Sequence, residues 1–209
     1  MDWETEIKQK ADEAWKIILK KDIRDFSWDN FSFRYRAEHT EEVLSIGLEI
    51  GKKLGADEEI LKAALLLHDI GRSAVKKDHG ESGARMAGGI LKNTNFPQKK
   101  IDDVQYAITS HVGWYEFKPK TLEACILWDA DKLSKLGAFI IVQKAMRWSL
   151  EGKNTWDAVS EFNKWLKTAE YIKDNMKTEP GAKMAEERFR TLKMFIIALN
   201  KEVSLNKDR

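Results

Sequence analysis

All four histidines of the 209-residue chain fall between positions 39 and 111, in the order His39, His68, His79, His111. His68 is followed at once by Asp69, closing the apolar run Ala63-Ala64-Leu65-Leu66-Leu67, and a later carboxylate, Asp131, stands in Trp128-Asp129-Ala130-Asp131-Lys132-Leu133. Imidazole and carboxylate are the usual protein ligands of a catalytic divalent ion. Neutral imidazoles give oriented donors, and carboxylates add the charge that retains the metal. A water on such an ion loses its proton near neutral pH and becomes a nucleophile. Histidines gathered at helix ends in this way point to a metal enzyme.

Helical spacing dominates the elements that must position these groups, and no alternating β pattern runs for more than a few residues. The spacing predicts a first amphipathic helix over residues 3–21 with Ile7, Ala11, Ala14, Trp15 and Ile18 on one stripe, then an aromatic connector from Phe26 to Tyr35. In a helix over 36–54, His39, Val43, Ile46 and Ile50 recur every three or four residues, so His39 shares the buried face. Gly55 ends that helix and Asp57 caps the next, which carries His68 and Asp69 at its C-terminal end before Gly71 breaks it. Helices follow over 79–93, opened by His79, and 98–111, closed by His111. After a loop from Gly113 to Pro119, one long helix is expected over 121–151, carrying Cys125 and Asp131. Two more are expected over 155–177 and 181–203, with Trp156, Phe162, Trp165, Phe189, Phe195 and Ile196 facing inward. Because His39, the His68-Asp69 pair and Asp131 belong to three separate helices, one ion held by all of them would staple the bundle.

Composition narrows the partners. A balance of 36 basic against 34 acidic residues, with no long block of one sign, gives no reason to expect nucleic acid or an anionic membrane as partner. The single cysteine, Cys125, excludes an internal disulfide and reads as a small core residue among Leu122, Ile126 and Leu127. Neither a signal-peptide pattern nor an apolar run long enough for a membrane span is present, so a soluble cytoplasmic protein is expected.

The ordered set His39…His68-Asp69…Asp131, in the contexts Glu38-His39-Thr40-Glu41-Glu42-Val43, Leu67-His68-Asp69-Ile70-Gly71-Arg72 and Ala130-Asp131-Lys132-Leu133, resembles the HD-domain superfamily of metal-dependent phosphohydrolases. The stretches around 79–84 and 119–133 are most similar to its small stand-alone members that act on nucleotides or related phosphate esters. The resemblance implies an all-α, compact, phosphodiesterase-like helical bundle with additional N- and C-terminal helices. It implies a single domain over 1–209, with a motif core at 34–145 and a C-terminal helical extension at 152–205. His39, His68, Asp69 and Asp131 would hold a divalent ion (Mn, Co, Ni, Fe, Zn or Mg). In related proteins, histidines placed like His79 and His111 either bind a second metal bridged by the doublet aspartate or stand near the substrate, where one can protonate a leaving oxygen.

Arg72, three residues after Asp69, suits phosphate through its planar fork of donors. Arg36, three before His39, and Lys76, Lys77 and Lys132 are further candidates to neutralise phosphate. Asp69 would also position the attacking water. Glu42, one turn beyond His39, is placed to orient a ligand, whereas Asp129 should point elsewhere than Asp131. Trp114 and Tyr115 are candidates to stack on a base; the run Trp28, Phe31, Phe33, Tyr35 reads better as a staple between helices. Gly71-Arg72 replaces the acidic pair of the guanosine-tetraphosphate hydrolases, so that activity is not expected. The consecutive histidines of the cyclic-dinucleotide phosphodiesterases are also missing, which speaks against a full binuclear or trinuclear site. The rival readings are a di-iron oxygenase, whose order of six ligands the chain also satisfies, and a non-catalytic ligand-sensing module. The expected partner is a small phosphorylated molecule, with homodimerisation through the C-terminal helices left open.

Overall fold

A computed structural model describes the backbone of residues 2–22, 26–73, 79–112 and 119–205, and the side chains of these apart from 14–22, 26–34, 73 and 205. The described residues are α-helical with short 3-10 turns and contain no strand, as the spacing predicts. They divide into two compact units, Met1–Asp131 and Lys132–Arg209.

The first unit contains α1 (Trp3–Asp22), α2 (Phe26–Leu54), α3 (Glu58–Leu67), α4 (His79–Lys92), α5 (Ile101–Ser110) and most of α6 (Leu122–Leu133). At its centre is α3, which packs against α1, α2 and α5 and buries Ile60, Leu61 and every residue from Ala63 to Leu67. Its one polar position after the first turn, Lys62, pairs with Glu4 and Glu58 at the rim. Asp57 caps α3 by accepting from the amides of Glu59 and Ile60 at 3.1 and 3.2 Å, satisfying donors that have no partner inside the helix. Gly55, with φ +70°, ends α2 as expected.

Two boundaries differ from the sequence expectation here. The aromatic stretch from Phe26 to Tyr35 is not a connector but the first part of α2, which runs unbroken to Leu54. Neither proline nor glycine occurs between Phe26 and Ile46, so nothing stops the helix from propagating back. The helix expected over 98–111 opens as a 3-10 turn, Gln98–Lys100, before α5.

The second unit holds α7 (Gly137–Leu150), α8 (Thr155–Asp174) and α9 (Glu179–Leu205). The single helix expected over 121–151 is two helices, α6 and α7, separated at Ser134–Leu136. Gly137 takes φ +88°, a conformation that side-chain-bearing residues avoid, and this ends one helix and starts the next. Asn154 and Asp157 form a reciprocal capping box at the start of α8. Val159, Phe162, Ala169 and Ile172 of α8 are buried, as are Ala185, Phe189, Leu192 and Ile196 of α9. Trp156 was expected to face inward but is 52% exposed, because it stands in the first turn, before the buried stripe begins. Phe195 is 36% exposed at the stripe's edge, with its ring against Phe162 at 5.3 Å. Trp165 is half-buried, its indole N–H donating to Lys135 O at 3.3 Å. Among the described residues, no helix is long and apolar enough to cross a membrane.

Candidate metal centre

Five helices of the first unit and one turn deliver the predicted residues to one place. Arg36 and His39 come from α2, and His68 is the C-cap of α3. Asp69 and Arg72 flank the start and middle of the turn that follows, Ile70–Ser73. His79 is the first residue of α4, His111 the C-cap of α5, and Asp131 the last residue of the unit, on α6. All six candidate ligands are buried, from 0% exposure at His68 to 7% at His79. An apolar helix ending in His-Asp can only do this because its last carbonyls are used: His68 Nδ1 donates to Leu65 O at 2.9 Å. His111 repeats the device at the end of α5, donating from Nδ1 to Ile108 O at 2.5 Å. A carbonyl only accepts, so both rings carry the proton on Nδ1 and turn the lone pair of Nε2 toward the cluster.

Two sets of donors each lie within 4.8 Å of one another: His39, His68 and Asp69, and Asp69, His79 and His111. Asp69 belongs to both, through different oxygens. Its Oδ2 is 3.8 Å from His39 Nε2 and 3.9 Å from His68 Nε2. Its Oδ1 is 3.5 Å from His79 Nε2 and 3.7 Å from His111 Nε2. Asp131 stands beside the first set, its Oδ1 3.4 Å from His39 Nε2. The Nε2 atoms of His39 and His68 stand 3.2 Å apart. Two nitrogens bound to one ion at about 2.1 Å are separated by roughly 3 Å, so the spacing suits a shared cation. The Nε2 atom of His79 is buried without a hydrogen-bond partner, which a metal ligand or a substrate-facing nitrogen would explain. The donor set therefore fits a divalent cation.

The electrostatics agree. Burial pushes the pKa of His68 down to about 3, and burial, reinforced by Arg72 and His111, pushes that of His79 down to about 4. Burial opposes ionisation of Asp69, but the imidazoles around it and the Arg72 guanidinium outweigh it and hold the carboxyl well below its usual range. At neutral pH His68 and His79 are thus neutral beside an ionised Asp69. Since both histidines take up protons less readily when folded than when unfolded, their contribution to stability is complete above the unfolded value near 6.5 and is lost as pH falls below it. Chelator-treated protein is expected to melt at progressively lower temperature from pH 7 to pH 4.5. A melting temperature unchanged over that range would contradict the assigned protonation states.

Arg72 Nε reaches Asp69 Oδ1 at 2.6 Å, and Arg36 Nη1 reaches Asp69 Oδ2 at 3.0 Å. Both arginines were expected to face phosphate; in the structure each holds one oxygen of the shared aspartate. Tyr35 stacks on His39, the rings 6.2 Å apart and 6° from parallel. This partner escapes a reading that leaves Tyr35 in a connector; in a continuous α2 it precedes His39 by four residues, on the same face. Glu42 is half-buried on α2, and Asp129 and Lys132 are buried on α6. Cys125 is half-buried, its thiol donating to Pro119 O at 3.5 Å. Lys76, Lys77, Trp114 and Tyr115 lie outside the described residues, as do the side chains of Ala14, Trp15, Ile18, Trp28, Phe31 and Phe33.

A helical unit that converges buried imidazoles on a carboxylate shared between two donor sets is a scaffold for a divalent metal. The HD domain family model matches residues 36–136, which include every candidate ligand. Residues 36–136 thus carry an HD domain, and HD-superfamily hydrolases are among the solved structures the chain is similar to. It is similar to the crystal structure of an HD-superfamily hydrolase from an uncultured Thermotogales bacterium, at 27% identity and a TM-score of 0.60, covering 93% of this chain and 91% of that one. The fold is shared with Bacillus subtilis YpgQ in complex with ADP, at 22% identity and a TM-score of 0.65 over 96% of each chain. It is also 32% identical over 108 residues to Ribonuclease Y of Alkaliphilus metalliredigens, an alignment that takes in 48% of this chain but only 21% of that protein.

Proposed function

We propose that this chain is a metal-dependent phosphohydrolase acting on a nucleotide or a related small phosphate ester. The observation that carries the reading is Asp69 itself, a buried carboxylate approached by four imidazoles and two guanidiniums. His39, His68, Asp69 and Asp131 would hold the ion. When bound, it would supply Lewis acidity toward a phosphoryl oxygen and a water nucleophile at neutral pH. Asp69 would also position the attacking water. Arg72 spends Nε on Asp69, which leaves its terminal N–H groups to grip phosphate in bidentate fashion. Arg36, Lys76 and Lys132 add positive charge, and the Nε2 atoms of His79 and His111, beside Asp69 Oδ1, are placed to accept a hydrogen bond from water or substrate. The ADP named with YpgQ supports a nucleotide as substrate class. The proposal takes the chain as a single, cytoplasmic HD domain whose C-terminal helices offer a homodimer face.

A second reading rests on one observation, that Asp69 turns a different oxygen to each donor set. That is the arrangement for two ions, and with two irons the same site would serve an oxygenase. A panel of nucleotides with separate detection of phosphate and pyrophosphate decides between them. Turnover abolished by chelator and restored by Mn²⁺ or Co²⁺ is the expected result. His68→Ala as active as the wild type would sink the hydrolase reading, and two irons per chain with substrate-dependent oxygen consumption would favour the oxygenase. Nucleotide binding without turnover would leave a sensing module.

A further inference from the structure

The two halves of the centre are not equivalent in charge. Around Asp69 Oδ2 stand His39 and His68, with a second carboxylate, Asp131, 3.4 Å from His39. Around Oδ1 stand His79 and His111, which form a donor set with the shared carboxylate. Arg72 Nε lies on that oxygen at 2.6 Å, nearer than either imidazole nitrogen at 3.5 and 3.7 Å. The grip is built into the chain: the turn after α3 closes with the Arg72 amide donating to Asp69 O at 3.0 Å, so backbone and side chain hold the same aspartate three residues back. Arg36 reaches Oδ2 from another helix, at 3.0 Å, in the half that has a further carboxylate to offset it.

A guanidinium does not surrender its proton in a protein, so its charge cannot be relieved when a cation arrives. An ion drawn to His79 and His111 must therefore share Oδ1 with a fixed positive charge, in a buried site where like charges repel strongly. We infer that Arg72 sets the number of metal ions, holding Asp69 Oδ1 so that the His79/His111 half is a weak site and one ion is bound tightly at the His39/His68 half. The inference rests on the metal-dependent reading above. It makes Arg72 a positioning residue toward the metal as well as a phosphate ligand, and it separates the hydrolase from the two-iron alternative by one side chain.

The test is calorimetric titration of chelator-treated protein with Mn²⁺, with metal content measured by mass spectrometry after desalting. Wild type, Arg72→Lys, Arg72→Gln and the double variant Arg72→Gln/His79→Ala are compared, each checked for helicity and melting temperature. One tight ion is expected in the wild type and in Arg72→Lys, which keeps the charge. Arg72→Gln is expected to take a second ion at least about tenfold more tightly than the wild type does, and the double variant to lose it again. A folded Arg72→Gln protein that still takes one ion with unchanged affinity overturns the inference and leaves the metal reading standing, as does a wild type that binds two ions equally well. If no variant binds Mn²⁺ at all, the metal reading fails and this inference with it.

Discussion

Replacing Asp69 with alanine is expected to abolish both metal retention and hydrolysis while leaving the fold intact. Its side chain is 4% exposed and belongs to both donor sets, so its loss removes the shared carboxylate from each. Losing a group that merely supports a metal ligand costs about 10–100-fold in affinity or activity. Loss of the shared ligand should exceed the upper end of that range. The fold survives because the two guanidiniums released, on Arg36 and Arg72, are 28% and 32% exposed and can turn to water. The chelator-treated variant should therefore keep its helicity and a cooperative melt while the metal isotherm disappears. Asp69→Asn, which keeps the shape without the charge, should lose metal binding nearly as completely, because charge is what the imidazoles cannot supply.

Gly71→Ala is expected to be the most disruptive single methyl group in the unit. A Cβ at Gly71 would lie 2.1 Å from His79 O, 2.3 Å from Gly83 N and 2.8 Å from Gly83 Cα. All three are backbone atoms, so no side chain can swing aside, and the turn after α3 must separate from the first turns of α4. Overpacking a tight contact costs typically about 1–3 kcal/mol, and the high end applies here. For a chain of this length that corresponds to a melting temperature lower by roughly 6–12 °C. The same movement carries His79 away from Asp69, so activity should fall further than stability alone explains. Gly89→Ala, in the same helix with nothing within 4 Å of the added carbon, is the control. It should be neutral or stabilise by about 0.5–1 kcal/mol, because alanine favours helix. A Gly71→Ala melt indistinguishable from that of Gly89→Ala would refute the close approach.

These residues also mark how far the sequence carries the fold and the site. The apolar run of α3, its aspartate cap and the His-Asp pair at its end are local features, and the structure places them as their spacing predicts. Gly71 was expected as a helix breaker. Its tight requirement comes from α4 crossing over it, which no local pattern reveals. The start of α2 was missed because an aromatic run has no clean polar face, although nothing in it breaks a helix; Tyr35 against His39 was hidden with it. The break between α6 and α7 depends on one glycine with positive φ inside an otherwise apolar stretch. The ion pair from Arg36 to Asp69 joins residues 33 apart and needed the packing of α2 against α3 to be seen. The same is true of the division of labour between the two Asp69 oxygens.

Titration of chelator-treated wild-type protein and of Asp69→Ala with Mn²⁺, under identical conditions, tests the central claim most directly. The account predicts saturable binding of at least one ion per chain in the wild type and none in the variant, with nucleotide hydrolysis following the bound metal. No binding by the wild type, or equal binding by the two proteins, would contradict it.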